Sequence, residues 1–375
     1  MSYYTTDTQG IGGYLRKRFE DFQVTEAPVE KTRDANGEYT HFNLEKTNWD
    51  TIKAINTLSK VLGVSRKRFG FAGTKDRRAV TRQRIGVWKV GPDKLLGVNI
   101  KDLRLYDFIQ SSERILIGDL LGNEFEITVR NPEAMNEGII KECKSQIDGR
   151  GVPNYFGYQR FGTIRPNTHI VGKLLLKGDI EGAVMSYLAD YYPDEREDAM
   201  EARKDLKETG DFKLALETFP KRLSYERTML DHLYKQPTDF AGAFRRLHKK
   251  LRQMFVHGYQ SYLFNRVLSR AIEGEMDIKG MEIPLVGYDN IHSYGEHGGI
   301  VKKVLDEEEV RLLDFKTPSL PELSARGAMR NACLETNVFY QMQGDGSILF
   351  RFFLPKGSYA TMVMREFMKT EPLRY

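Results

Sequence analysis

Apolar and polar residues alternate through DFQVTEAPV (21–29) and HFNLEKTN (41–48), the two-residue period of half-buried strands. The spacing then changes. Ile52, Ile55, Leu58 and Val61 recur at near-helical intervals over 51–63, behind an Asp50 suited to cap a helix. FGFAG (69–73) reads as a short buried strand, and RIGVWKV (84–90), RILIGDLL (114–121) and EFEITVR (124–130) as further strands. Pro132 opens a predicted helix over 133–148, with Met135, Ile139, Ile140, Cys143 and Ile147 on one side. Beyond GVPNYFGYQRFG (151–162) the pattern turns helical and charged from about 166 to 337, with turns at 192–194, 274–291 and 317–322. Within it HGYQSYLFNRVL (257–268) gathers Tyr259, Tyr262, Leu263 and Val267 on one face, which reads as core. Strand patterns return at 338–343 and 347–355, before a helix at 359–369 that Ser358 is placed to cap. The pattern predicts an α+β sheet domain made from both ends of the chain, with a mainly helical body inserted.

Composition narrows the classes. A chain of 375 residues that is 40% apolar can build two cores. No apolar run approaches the roughly 20 residues of a membrane helix, and the polar start MSYYTTDTQG does not read as a signal peptide. These features predict a cytoplasmic protein, with a monomer as the default state. Cys143 and Cys333 stand apart without CxxC spacing, so neither a disulfide nor a zinc site is expected. His257, His292 and His297 lack metal-ligand spacing, and no phosphate loop or dinucleotide turn is present. The chemistry expected here uses no metal and no cofactor.

Charge distribution says more than the net +5. Residues 65–90 carry nine basic side chains against one acid, Asp76. A second basic run spans Arg245 to Arg252, whereas 190–211 is acid-rich. A dense positive segment suits a phosphate-rich partner. In FAGTKDRRAVT (71–81), Gly73 lets the chain turn out of the strand, and Asp76 sits among Lys75, Arg77 and Arg78. Such a carboxylate is able to act as nucleophile or base on a bound polyanion. By residue types alone the plainer reading is that it caps a turn or forms surface ion pairs.

GFAGTKDRRAVTRQ resembles the catalytic segment of the TruD pseudouridine synthases, in which GxKDxxAVT carries the essential aspartate. RFEDFQVTE (18–26), LLGNEFEITVR (120–130), GVPNYFGYQRFG (151–162) and FFLPKGSYATMVMRE (352–366) agree with that family in order and spacing. The resemblance implies a pseudouridine synthase fold: a mixed, mainly antiparallel sheet flanked by helices, from 1–165 and 338–375, with an inserted, mainly helical TRUD domain at 166–337. The length and acidic stretch of the insertion look more like archaeal or eukaryotic members than bacterial ones. It further implies isomerisation of uridine to pseudouridine in tRNA, at position 13, with Asp76 acting on a flipped-out nucleotide. Residue by residue, it makes Arg16 the basic partner of Asp76, Asn154 its orienting amide and Phe156 the ring that stacks on the base. Phe22 would wall the pocket, and Lys75, Arg77, Arg78, Arg82 and Arg84 would meet RNA, some of these arginines pairing with acids instead. Glu26 and Arg365 fit either an ion pair or a site role, and His257 and Gln260 are weaker RNA candidates. A non-catalytic RNA-binding protein or RNA chaperone would use the same basic surface without needing Asp76.

Overall fold

The computed structural model describes residues 3–289 and 298–375. In chain order the first elements are β1 (Phe22–Pro28), β2 (Tyr39–Thr47), α1 (Thr51–Val61), β3 (Phe69–Phe71), β4 (Val80–Trp88), α2 (Pro92–Leu96), β5 (Leu103–Ser111), β6 (Leu120–Val129) and α3 (Glu137–Arg150). After β7 (Val152–Pro153) come α4 (Thr168–Leu176), α5 (Ile180–Ala189), α6 (Glu197–Thr209), α7 (Phe212–Thr218), α8 (Ser224–Lys235), α9 (Phe240–Arg245) and the long α10 (Lys249–Glu273). The chain closes with β8 (Glu282–Leu285), α11 (Gly298–Glu307), β9 (Ala328–Asn331), β10 (Cys333–Leu334), β11 (Phe339–Met342), β12 (Ile348–Pro355) and α12 (Ala360–Met368). Two compact units result: Thr6–Val152 with Leu334–Tyr375, and Met1–Thr5 with Pro153–Cys333.

The first unit holds an eight-stranded sheet in the order β11-β12-β6-β1-β4-β2-β5, with β3 on β4. Its pairings are antiparallel except β1 with β4. Alternation sorts the two faces. Phe42, Leu44, Ile85 and Val87 enter one core cluster with Ala54, Ile55 and Leu58 of α1, while Asn43, Glu45, Arg82 and Arg84 sit in the opposite register. Asp50 caps α1, its carboxylate accepting from Lys53 N at 2.9 Å. The C-terminal strand β12 pairs with β6, and Phe350 packs on Phe367 of the fully buried α12. The second unit is mainly helical and built around α10, which buries Tyr259, Leu263 and Val267.

Several sequence expectations give way. RILIGDLL (114–121) is not a strand: apart from the start of β6 it is loop, and its Ile117 is 74% exposed. The strand in that region is β5, which ends at Ser111 before this segment begins and which the pattern did not mark. β4 begins at Val80, four residues before the predicted strand, so Val80 and Thr81 of the AVT segment belong to it while Ala79 closes the loop. Met135 precedes α3 and is exposed, because Asn136 caps that helix through Gly138 N. Ser358 caps nothing; the residue before α12 is Tyr359, which makes no side-chain cap. Arg365 and Gln260 are buried, Gln260 donating to Val286 O and Arg326 O, so both serve the fold. His292 and His297 lie outside the described residues. Among the described residues no helix is long and apolar enough to cross a membrane, no group of metal-ligating side chains gathers, and both cysteines are free thiols.

Candidate active site

Strand β3 ends at Phe71, and the chain from Ala72 to Ala79 loops to the start of β4. Asp76 stands on this loop with its side chain 56% exposed. Arg16 Nη2 donates to Asp76 Oδ2 at 2.6 Å, a charge-assisted bond that engages one carboxylate oxygen. The guanidinium carbon of Arg16 lies 4.0 Å from the centroid of the Phe22 ring, and Phe22 is itself buried. Phe22 thus supports Arg16 from beneath by a cation–π contact and offers no exposed face of its own. Arg16 takes a left-handed backbone conformation, φ +57°, uncommon outside glycine. Burial pushes its guanidinium below its ordinary value, with Asp76 pulling it back up and Arg78 adding to the lowering.

The loop backbone is held from inside the sheet domain by side chains that sequence reading passed over. Lys46 is fully buried, and its Nζ donates to Trp49 O at 2.6 Å, Asp76 O at 2.8 Å and Lys75 O at 3.3 Å. Thr51 Oγ1 accepts from Lys75 N at 3.0 Å and donates to Gln83 Oε1 at 3.0 Å. Gln83 Nε2 in turn donates to Gly73 O at 3.0 Å. A signal for these residues existed. In β2 and β4, Lys46 and Gln83 occupy the buried register with Leu44 and Ile85, where a polar side chain needs a partner.

The proposed RNA-contacting cations fall into two groups. Lys75 is buried, 2.5 Å from Glu26, whose second oxygen accepts from Arg84 N, so Lys75 is turned into the domain. Arg82 pairs with Glu45 at 2.6 Å and Arg84 with Asp107 at 3.1 Å on the open face of the sheet. Arg77 and Arg78 are exposed and, with Arg16, Lys17 and Arg18, line an open groove of about 720 Å³. Glu20 is the one acid among its lining residues.

Asn154 and Phe156 belong to the helical unit. The Asn154 amide oxygen accepts from Arg330 Nη2 at 2.5 Å, and its nitrogen donates to Asn331 O at 2.8 Å. Asn265 of α10 clamps Phe156 in both directions, accepting from its N–H and donating to its carbonyl, each at 2.9 Å. The Phe156 ring meets Phe264 edge-on, and the Arg330 guanidinium lies 4.3 Å from its centroid. Arg330 and Asn265 are therefore supporting residues that the sequence reading did not single out. His257 is exposed on α10.

A family model described as tRNA pseudouridine synthase D (TruD) matches residues 1–283 and 277–367. A Methanococcoides burtonii protein named "Probable tRNA pseudouridine synthase D" is 40% identical, covering 100% of this chain and 97% of its own length. A Methanopyrus kandleri protein of the same name is 44% identical over 89% of this chain and 86% of its own. The crystal structure of a Methanosarcina mazei protein assigned to tRNA pseudouridine synthase D matches with a TM-score of 0.85 and 37% identity, covering 100% of this chain and 98% of that one. With its sheet, its Asp76 loop and these likenesses running the length of the sequence, the chain belongs to the TruD family of tRNA pseudouridine synthases.

Proposed function

We propose that this isomerase converts uridine to pseudouridine in tRNA, at position 13, with Asp76 as its reacting carboxylate. The observation that carries the reading is the Asp76–Arg16 pair: an exposed carboxylate with one oxygen engaged by a guanidinium, beside a cationic groove. The reaction breaks the N1–C1′ bond, turns the uracil and joins C5 to C1′, with the C5 proton released and N1 taking one up. Attack at C1′, attack at C6 and removal of a proton next to C1′ are each acts of a carboxylate, as nucleophile or as base. The uridine must leave its stack to meet it, at a cost of a few kcal/mol that phosphate contacts offset. Arg77, Arg78, Lys17 and Arg18 supply those contacts. Asn154 supplies an amide with two N–H groups, one of them donated to Asn331 O. Phe156 supplies a ring whose backbone Asn265 pins, the stacking partner for uracil.

The test is pseudouridine mapping by chemical adduct and primer extension on a tRNA transcript, without added metal. One strong stop at position 13, lost with Asp76→Ala, supports the reading. Modification elsewhere in the tRNA overturns the position, and an active Asp76→Ala overturns the role of the carboxylate.

A further inference from the structure

We infer that Lys46, Thr51 and Gln83 are positioning residues for the isomerisation, fixing the backbone of the Asp76 loop from beneath so that the carboxylate is presented in one geometry. The inference rests on the reading of Asp76 as the reacting group and extends it to residues that touch no substrate.

Four backbone groups of the loop, Gly73 O, Lys75 N, Lys75 O and Asp76 O, are taken by three buried side chains from β2, α1 and β4. Loop carbonyls ordinarily turn to water. Here the carbonyl of the reacting residue itself is bound, which fixes the direction of its Cα–Cβ bond. Lys46 makes the arrangement unusual. An ammonium buried among Leu44 and the α1 core is costly to desolvate, and a direct carboxylate partner is the common remedy. Lys46 has three carbonyls instead, matching its three N–H donors one to one. Its charge also acts on the Asp76 carboxylate, as does that of Asp50 on Lys46 from the start of α1. A leucine in this register would fill the core, but it would leave the Asp76 and Lys75 carbonyls without donors. Thr51 then joins the clamp to the sheet, because one hydroxyl accepts from Lys75 N and donates to Gln83.

The experiment compares full-length wild type, Lys46→Met, Thr51→Val, Thr51→Ser and Asp76→Ala by single-turnover pseudouridine formation, tRNA Kd and thermal unfolding. A loop displaced by about 1 Å costs on the order of 100-fold in rate. Lys46→Met is expected to lose about that much and Thr51→Val about 10-fold, both with tRNA Kd within about twofold of wild type. Thr51→Ser keeps the hydroxyl and is expected to restore the rate, which a loss of core packing alone would not do. Should Lys46→Met fail to fold, the Thr51→Val and Thr51→Ser pair decides. Folded Thr51→Val at wild-type rate, with Asp76→Ala inactive, overturns the clamp and leaves the Asp76 reading standing. An active Asp76→Ala removes that reading and the inference with it.

Discussion

A carboxylate that reacts through one oxygen gains direction when the other is held, and Arg16 holds Oδ2 of Asp76 at 2.6 Å. Asp76→Asn keeps the shape and loses the charge. It is expected to lower the rate of pseudouridine formation more than about 1,000-fold, roughly 4 kcal/mol of barrier, with tRNA affinity retained. Single-turnover assay and anisotropy binding check the two halves. Arg16→Lys keeps the charge but gives up the planar group stacked on Phe22, so a fall of about 10-fold in the same assay is expected. Lys46 brings a pH dependence. Burial pushes its ammonium down to about 8, against the pull of Asp76 and Asp50 and with the help of Lys75, itself paired with Glu26. The neutral amine has two N–H groups for three carbonyls, so one loop contact is lost and the rate should fall as pH rises through about 8. Stability moves the other way. Between about 8 and the ordinary 10.5 the unfolded chain binds more protons, so the contribution of Lys46 to stability rises with pH in that window. A rate that falls while the unfolding midpoint holds or rises across the same range separates loop positioning from loss of fold.

At the scale of elements, the turn that carries Arg16 into β1 is tied down by Asp21. This carboxylate is buried, accepting from Arg18 N at 2.8 Å on one oxygen and from Arg130 Nε of the residue after β6 at 2.8 Å on the other. Removing it leaves Arg130 short of its buried partner and frees the turn. Asp21→Ala is expected to lower stability by about 3 kcal/mol, read as a reduced urea midpoint, and to slow catalysis through Arg16. The strands and helices that alternation and helical spacing revealed were those with one buried face: β1, β2, α1, β6, α3 and β12. RILIGDLL misled because periodicity records apolarity without recording exposure, and Leu116 and Ile117 face water. β5 escaped because its register against β2 shifts between His41 and Asn43, opposite a left-handed Asp107, which blurs its alternation. The motif around Asp76 was legible as a likeness to the family, yet the side chains that hold its loop were not. Lys46 and Gln83 read as ordinary polar residues until the strand register shows them pointing inward, and Thr51 until the fold brings α1 under the loop; Glu26 was legible as an ion-pair candidate and pairs with Lys75.

At the scale of the whole molecule, a net charge of +5 predicts little about RNA binding, and the pairing of each cation predicts more. Lys75, Arg82 and Arg84 each face an acid at 2.5, 2.6 and 3.1 Å, so their charge is already compensated within the fold. Lys17, Arg18, Arg77 and Arg78 line the groove with Glu20 as the one acid beside them, which makes them the cations able to displace counterions from phosphate. tRNA affinity should therefore fall steeply between about 50 and 200 mM salt, with a log–log slope reduced by about one for each phosphate-contacting cation removed. Arg77→Ala and Arg78→Ala are each expected to lower the slope by about that amount, and the double variant by about two. Arg82→Ala is expected to leave the slope as it is, since removing it frees Glu45 without detaching a phosphate. Anisotropy titrations of labelled tRNA against each variant measure the slopes directly. Equal slopes for Arg77→Ala, Arg82→Ala and wild type would mean that the groove beside Asp76 does not carry the RNA backbone, and the cations that do would have to be sought elsewhere on the surface.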